Sequence, residues 1–182
     1  MTRSDRYPQL FLDIDGPLIP FGGAGYPIHP VPGGTGGNPL LDRLDPALGP
    51  RLAALPCEPV WATTWGADAN PLVGRRLGLP DLPVLDLPDL PDLRELPDLP
   101  DLRELTGAAR TGAGGLHWKT RPVVAWAAGR PFVWVDDEIT PEDRAWVAAY
   151  HPGPALPYRV DPRTGLTDAD FVVLEDWLRR RG

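Results

Sequence analysis

The chain has 182 residues, of which 42% are hydrophobic and 24% charged, and a formal net charge of −7. That length suits one domain with a sizeable core, and the acidic balance lacks the basic footprint of a general nucleic-acid binder. No apolar run approaches the length of a membrane span, no signal-peptide pattern precedes the first apolar run, and the single Cys57 excludes an internal disulfide framework or a cysteine-built zinc cage. A cytoplasmic location is the default expectation.

Leu10-Phe11-Leu12-Asp13-Ile14 is a short apolar run with acids at its end, the signature of a buried strand. Residues 16–37 are rich in Gly and Pro and predict a long irregular loop, with a hairpin flap as one form of it. Asn38-Pro39 and Asp45-Pro46 each put a capping residue before a proline suited to the first helical position, and Leu48, Leu52 and Leu55 follow at helical spacing. Val60 to Thr63 predicts a second strand, and Asn70-Pro71 a further helix that stops at Gly78. Pro83 to Asp86 is a weaker strand candidate.

Proline and glycine, 25 and 20 residues, approach the level at which low complexity is expected. The chain also holds an internal repeat, in which Pro88-Asp89-Leu90-Pro91-Asp92-Leu93-Arg94-Glu95-Leu96 recurs unchanged from Pro97 to Leu105. Its prolines forbid a regular helix or a central strand. The plain reading is a slipped duplication in a dispensable surface loop; the rival is an acidic, leucine-studded docking segment. Residues 81–105 also carry most of the net charge, so the acidity says little about the core.

Beyond the repeat, Thr120-Arg121-Pro122 opens a helix to about Ala128, and Pro131 to Val135 is the strongest strand in the chain. Thr140-Pro141-Glu142-Asp143 caps the next helix, with acids suited to its dipole. Leu156 to Val160 predicts a short strand, and Thr167 caps a last helix whose Phe171, Leu174 and Leu178 face inward. Strands alternating with helices predict an α/β fold, a three-layer α/β/α sandwich on a mainly parallel, Rossmann-like sheet. Such sheets gather ligands beyond the carboxyl ends of their strands.

Asp13-Ile14-Asp15-Gly16, Thr63-Thr64 and Asp136-Asp137 all fall at strand ends, and Lys119 stands just before the helix that precedes the third of these strands. Adjacent parallel strands would make the carboxylates converge. Converging carboxylates raise one another's pKa, and a hard cation such as Mg²⁺, which prefers carboxylate and water oxygen, relieves the repulsion. The plainer alternatives are a turn at Asp15-Gly16, strand-end hydroxyls at Thr63-Thr64, a surface charge at Lys119 and a capping role for Asp137. Trp65 and Trp118 flank these positions, where packing around the site is favoured over stacking on a base. His29, His117 and His151 are isolated and receive no catalytic role, and Cys57 is expected to be inert.

Asp13-Ile14-Asp15-Gly16-Pro17-Leu18, Thr63, Lys119 and Asp136-Asp137 resemble, in order, the four motifs of the haloacid dehalogenase (HAD) superfamily. The resemblance spans roughly residues 9–178. The longer strings Val60 to Trp65, Leu116 to Thr120 and Phe132 to Glu138 resemble a narrower group, the HAD domain of bacterial Swiss Army Knife RNA-repair proteins. The resemblance implies a Mg²⁺-dependent phosphatase with Asp13 as nucleophile and Asp15 as general acid and base. Thr63, or Thr64 one residue on, would bind a phosphoryl oxygen. Lys119 would neutralise the nucleophile–phosphate pair, and Asp136 and Asp137 would hold the metal together with Asp13 and the backbone carbonyl of Asp15. Neither the interval 16–60 nor 65–117 has the pattern of a full cap domain, which implies an open site for a large substrate, nucleic-acid ends among them. A small-molecule phosphatase and a non-catalytic HAD-fold binding protein are the alternatives, and the oligomeric state is left open.

Overall fold

The computed structural model describes residues 7–30, 38–87 and 115–181. Four short apolar stretches form its sheet: β1 (Gln9–Leu12), β2 (Glu58–Trp61), β3 (Phe132–Asp136) and β4 (Ala155–Arg159). All pair in parallel, in the order β2-β1-β3-β4. β1, which leads into Asp13, therefore lies between β2, which leads toward Thr63, and β3, which ends at Asp136.

A central parallel strand is apolar on both sides because helices cover both faces. Phe132 and Trp134 of β3 pack with Phe11 and Val60 on one face, and Val133 and Val135 pack with Leu10, Leu12 and Trp61 on the other. The second face is covered by α1 (Leu48–Ala54), by the turns leading into α2 (Arg75–Leu77), and by α5 (Asp168–Arg179). The first is covered by α3 (Thr120–Ala127) and α4 (Pro141–Tyr150). This is the expected three-layer α/β/α arrangement. Close approach of α1 to α2 requires Gly49, where a Cβ would lie 1.7 Å from the Leu77 carbonyl oxygen.

Several local expectations differ from the structure. Asn70 does not cap a helix; helical turns begin upstream at Gly66 and pass through a π-helical stretch, Ala69–Gly74, before α2. Its amide is used across the fold instead, accepting from Trp61 Nε1 at 2.8 Å and from the Leu82 N–H at 3.0 Å, and donating to the Leu82 carbonyl at 2.9 Å. That clamp holds the weak strand candidate at 83–86 against β2, where it forms one isolated parallel bridge, Trp61 with Val84. Prolines at 80 and 83 limit it to that.

Residues 16–30 form no hairpin. They are pinned at intervals, Phe21 N–H to the Pro162 carbonyl and His29 N–H to that of Asp42. The rest of the predicted flap, and the repeat at 88–105, lie outside the described residues. The described helical turns of residues 38–87 pack into the sheet's own core rather than into a second unit. No helix among the described residues is long and apolar enough to cross a membrane.

Candidate active site

The chain leaves β1 toward β2 on one side and returns through β3 on the other, so the order reverses between β1 and β3. Loops diverge there and open a crevice at the carboxyl ends of the strands. Asp13 directly follows β1 and Asp136 ends β3. The ladder runs on far enough to fix both, with Asp13 N–H bonded to the Val135 carbonyl at 3.0 Å.

Lys119, at the N-cap position just before α3, places its ammonium between the two acids, 2.6 Å from Asp13 Oδ2 and 2.9 Å from Asp136 Oδ2. All three side chains are buried. The remaining oxygens are also engaged: Asp13 Oδ1 accepts the Ile14 N–H at 2.8 Å and Asp136 Oδ1 the Glu138 N–H at 2.9 Å. Asp137 completes the group, since Asp13, Asp136 and Asp137 offer oxygens all within 4.8 Å of one another.

Three carboxylates against one ammonium leave an excess of negative charge. Burial raises Asp13 to about 6, with Asp136 adding to the rise and Lys119 opposing it. Burial likewise raises Asp137 to about 7, helped by Asp136, Asp13 and Glu138. Burial alone would lower Lys119, but its two carboxylate partners hold it above the ordinary lysine range, so it stays charged. An all-oxygen, electron-rich donor set of this kind fits a hard divalent cation such as Mg²⁺.

Asp15 does not join this cluster through its carboxylate. It is half-buried, and Trp65 Nε1 donates to its Oδ2 at 3.0 Å. Gly16 then turns the chain with φ +85°, and a Cβ there would meet Asp137 Cγ at 2.6 Å. Asp13 and Asp15 are thus separated, one facing the cluster and the other held by an indole. Of the two threonines, Thr63 is buried and its Oγ1 takes the Trp65 N–H at 3.4 Å, whereas Thr64 is exposed and lines the cavity.

That cavity, of about 360 Å³, is bounded by Asp13, Asp15, Thr64, Lys119, Asp137 and Glu138 on its polar side, and by Ile19, Phe21, Leu40 and Trp118 elsewhere. Trp118 also stands 5.6 Å, ring centroid to Nζ, from Lys119.

Three supporting residues escape a sequence reading. His117 is buried, not isolated; its Nδ1 accepts the Lys119 N–H at 3.3 Å, which leaves Nε2 to donate to Glu138 Oε2 at 3.1 Å. Glu138 itself lines the cavity, and its place after Asp136-Asp137 is the signal that could have found it. Asp143 is more than a helix-start charge. Its buried carboxylate accepts from His117 N–H at 2.8 Å, Thr120 Oγ1 at 2.6 Å, and Thr140 N–H and Oγ1 at 2.8 and 2.7 Å. These bonds hold its pKa below the usual value although burial alone would raise it. They also tie the loop that carries Lys119 to the start of α4.

No family model, curated protein or solved structure matches the chain.

Proposed function

We propose that the chain is a Mg²⁺-dependent phosphatase of the HAD type, hydrolysing phosphate monoesters through an aspartyl-phosphate on Asp13. The observation that carries this reading is the convergence of Asp13, Asp136 and Asp137 on one point at the strand ends, with Lys119 bridging the first two. The motif resemblance supports it independently of the geometry.

Asp13 would attack phosphorus through a carboxylate oxygen while the ester P–O bond breaks. Asp15, oriented by Trp65, would give its proton to the departing oxygen, then take one from the water that cleaves the acyl phosphate. That second step returns Asp13 as carboxylate and releases inorganic phosphate. Lys119 would offset the charge of the nucleophile as the phosphoryl group arrives, and the Thr64 hydroxyl, which lies on the cavity wall, is favoured over Thr63 for a phosphoryl oxygen. A Mg²⁺ held by Asp13, Asp136, Asp137 and the Asp15 carbonyl would supply charge neutralisation at the phosphoryl oxygens.

The test is rapid acid quench with a labelled aryl phosphate, followed by mass spectrometry. Asp13→Asn is expected to abolish turnover and labelling. Asp15→Asn is expected to retain label on Asp13 when the leaving group needs no proton, and to hydrolyse it slowly. Unimpaired turnover in Asp13→Asn would refute the assignment, and a wild type without Mg²⁺-dependent activity on any phosphate ester would favour a binding protein.

A further inference from the structure

The cavity has two unlike halves. Asp13, Asp15, Asp137 and Glu138 share one side of the cavity with Lys119, which is already held by Asp13 and Asp136. A divalent ion in the carboxylate cluster and one phosphoryl group would use the positive charge available. Among the described lining residues a second phosphate, as in a polynucleotide chain or a diphosphate, would find no further lysine or arginine. Binding a nucleic-acid backbone relies on Lys and Arg contacts.

The other half is apolar and built to stay so. Phe21 and Leu40 are 40% and 38% exposed, an arrangement water does not favour, yet both face the cavity beside Ile19 and Trp118. Both backbones are hydrogen-bonded: Phe21 N–H bonds to the distant Pro162 carbonyl at 2.8 Å, and Leu40 N–H to the capping Asn38 Oδ1 at 3.0 Å. The two segments are also joined, since Arg43 Nη1 donates to the Pro20 carbonyl at 3.2 Å and its guanidinium lies over the Tyr26 ring. Clustered apolar side chains held open beside a polar centre mark a ligand surface.

Resting on the phosphatase reading, we infer that the leaving group is a neutral, flat apolar ring seated between Phe21, Leu40 and Trp118. The substrate is then an aromatic phosphate monoester with a single anionic group, rather than a polynucleotide end or a sugar phosphate. Ring burial against such walls is worth about tenfold in affinity, roughly 1.4 kcal/mol.

The test separates binding from turnover. Calorimetry on the full chain with Mg²⁺ compares (2-naphthylmethyl)phosphonate, methylphosphonate and a dinucleotide bearing a 5′-phosphonate. The naphthyl compound is expected to bind at least tenfold more tightly than either of the others. Phe21→Ala and, separately, Leu40→Ser are each expected to narrow that gap at least threefold, with circular dichroism confirming that each variant folds. Equal affinities, tighter binding of the dinucleotide, or a gap unchanged in both folded variants would overturn the inference. Turnover of 2-naphthyl phosphate, ethyl phosphate and a 5′-phosphorylated dinucleotide is measured alongside. Naphthyl-selective binding without Mg²⁺-dependent turnover of any ester retains the aromatic site and overturns the phosphatase reading. Turnover without selective binding does the reverse.

Discussion

Gly16 shows how much a single position carries. Its left-handed backbone turns the chain between Asp15 and the rest of the loop, and its missing Cβ makes room for the Asp137 carboxylate. A side chain there would meet both a conformational penalty of about 1–2 kcal/mol and a steric clash. Gly16→Ala is therefore expected to lower the melting temperature and to displace Asp137. The diagnostic readout is the rise in melting temperature on adding Mg²⁺, which should shrink markedly in the variant and persist in the wild type. A variant with the wild-type Mg²⁺ response would show that Asp137 does not depend on this turn.

Two helices begin with the same device, yet the two copies do different work. In α4 and α5 a threonine caps the helix and an aspartate three residues on bonds back to it, Thr140 with Asp143 and Thr167 with Asp170. Asp170 is half-buried and adds only the Tyr158 hydroxyl. Asp143 is fully buried and adds His117 and Thr120, the residues on either side of the Trp118-Lys119 pair. Removing a buried acceptor strands its donors, at about 1–3 kcal/mol for each group left unsatisfied. Asp143→Ala is expected to destabilise the protein by several kcal/mol, and Asp170→Ala by about 1 kcal/mol, as read from chemical denaturation. In the milder Thr140→Ala variant, the reaction rate should fall more than that of Thr167→Ala at equal loss of stability. Equal rates would confine the α4 cap to a structural role.

At the scale of the whole molecule, the acid cluster couples stability to pH. Asp13 and Asp137 ionise at about 6 and about 7 in the fold against an ordinary value of 3.8. A folded pKa raised above the unfolded one gives a contribution that is present at low pH and lost as pH rises through the folded value. Metal-free protein should thus lose stability between about pH 4 and about pH 7.5 on account of these two groups. His151 acts oppositely, since burial lowers its pKa and its contribution grows as pH rises toward 6.5, but it is one group against two. Asp137→Asn should flatten the decline, and saturating Mg²⁺ should abolish it. For a chain of this length 1 kcal/mol corresponds to about 2–4 °C, so thermal melts across this pH range will decide. A metal-free melting temperature that climbs steadily to pH 8 would contradict the electrostatic account.

The order of strands and helices, the apolar runs that fill the two faces of the sheet, and the acids at the ends of β1 and β3 were legible in the linear chain. They follow from local patterning: period, caps and the placement of polar residues at strand ends. Boundaries moved by a residue or two, as at β2, which ends at Trp61 rather than Thr63. What lay beyond the sequence was set by contacts between distant segments. Asn70 is a good helix cap by its neighbours, but the burial of Trp61 and the approach of Leu82 recruit its amide elsewhere. His117 and Asp143 look ordinary until α3 and α4 meet, and no local period encodes that meeting. The choice between Thr63 and Thr64 depends on where the chain turns after β2, and only the packed fold decides which hydroxyl faces the cavity. The same holds for Phe21 and Leu40, which share a wall because Arg43 joins the loops that carry them. Local patterning determines which groups stand at the ends of the strands, whereas the long-range hydrogen bonds and packing of the folded chain determine which of them face one another.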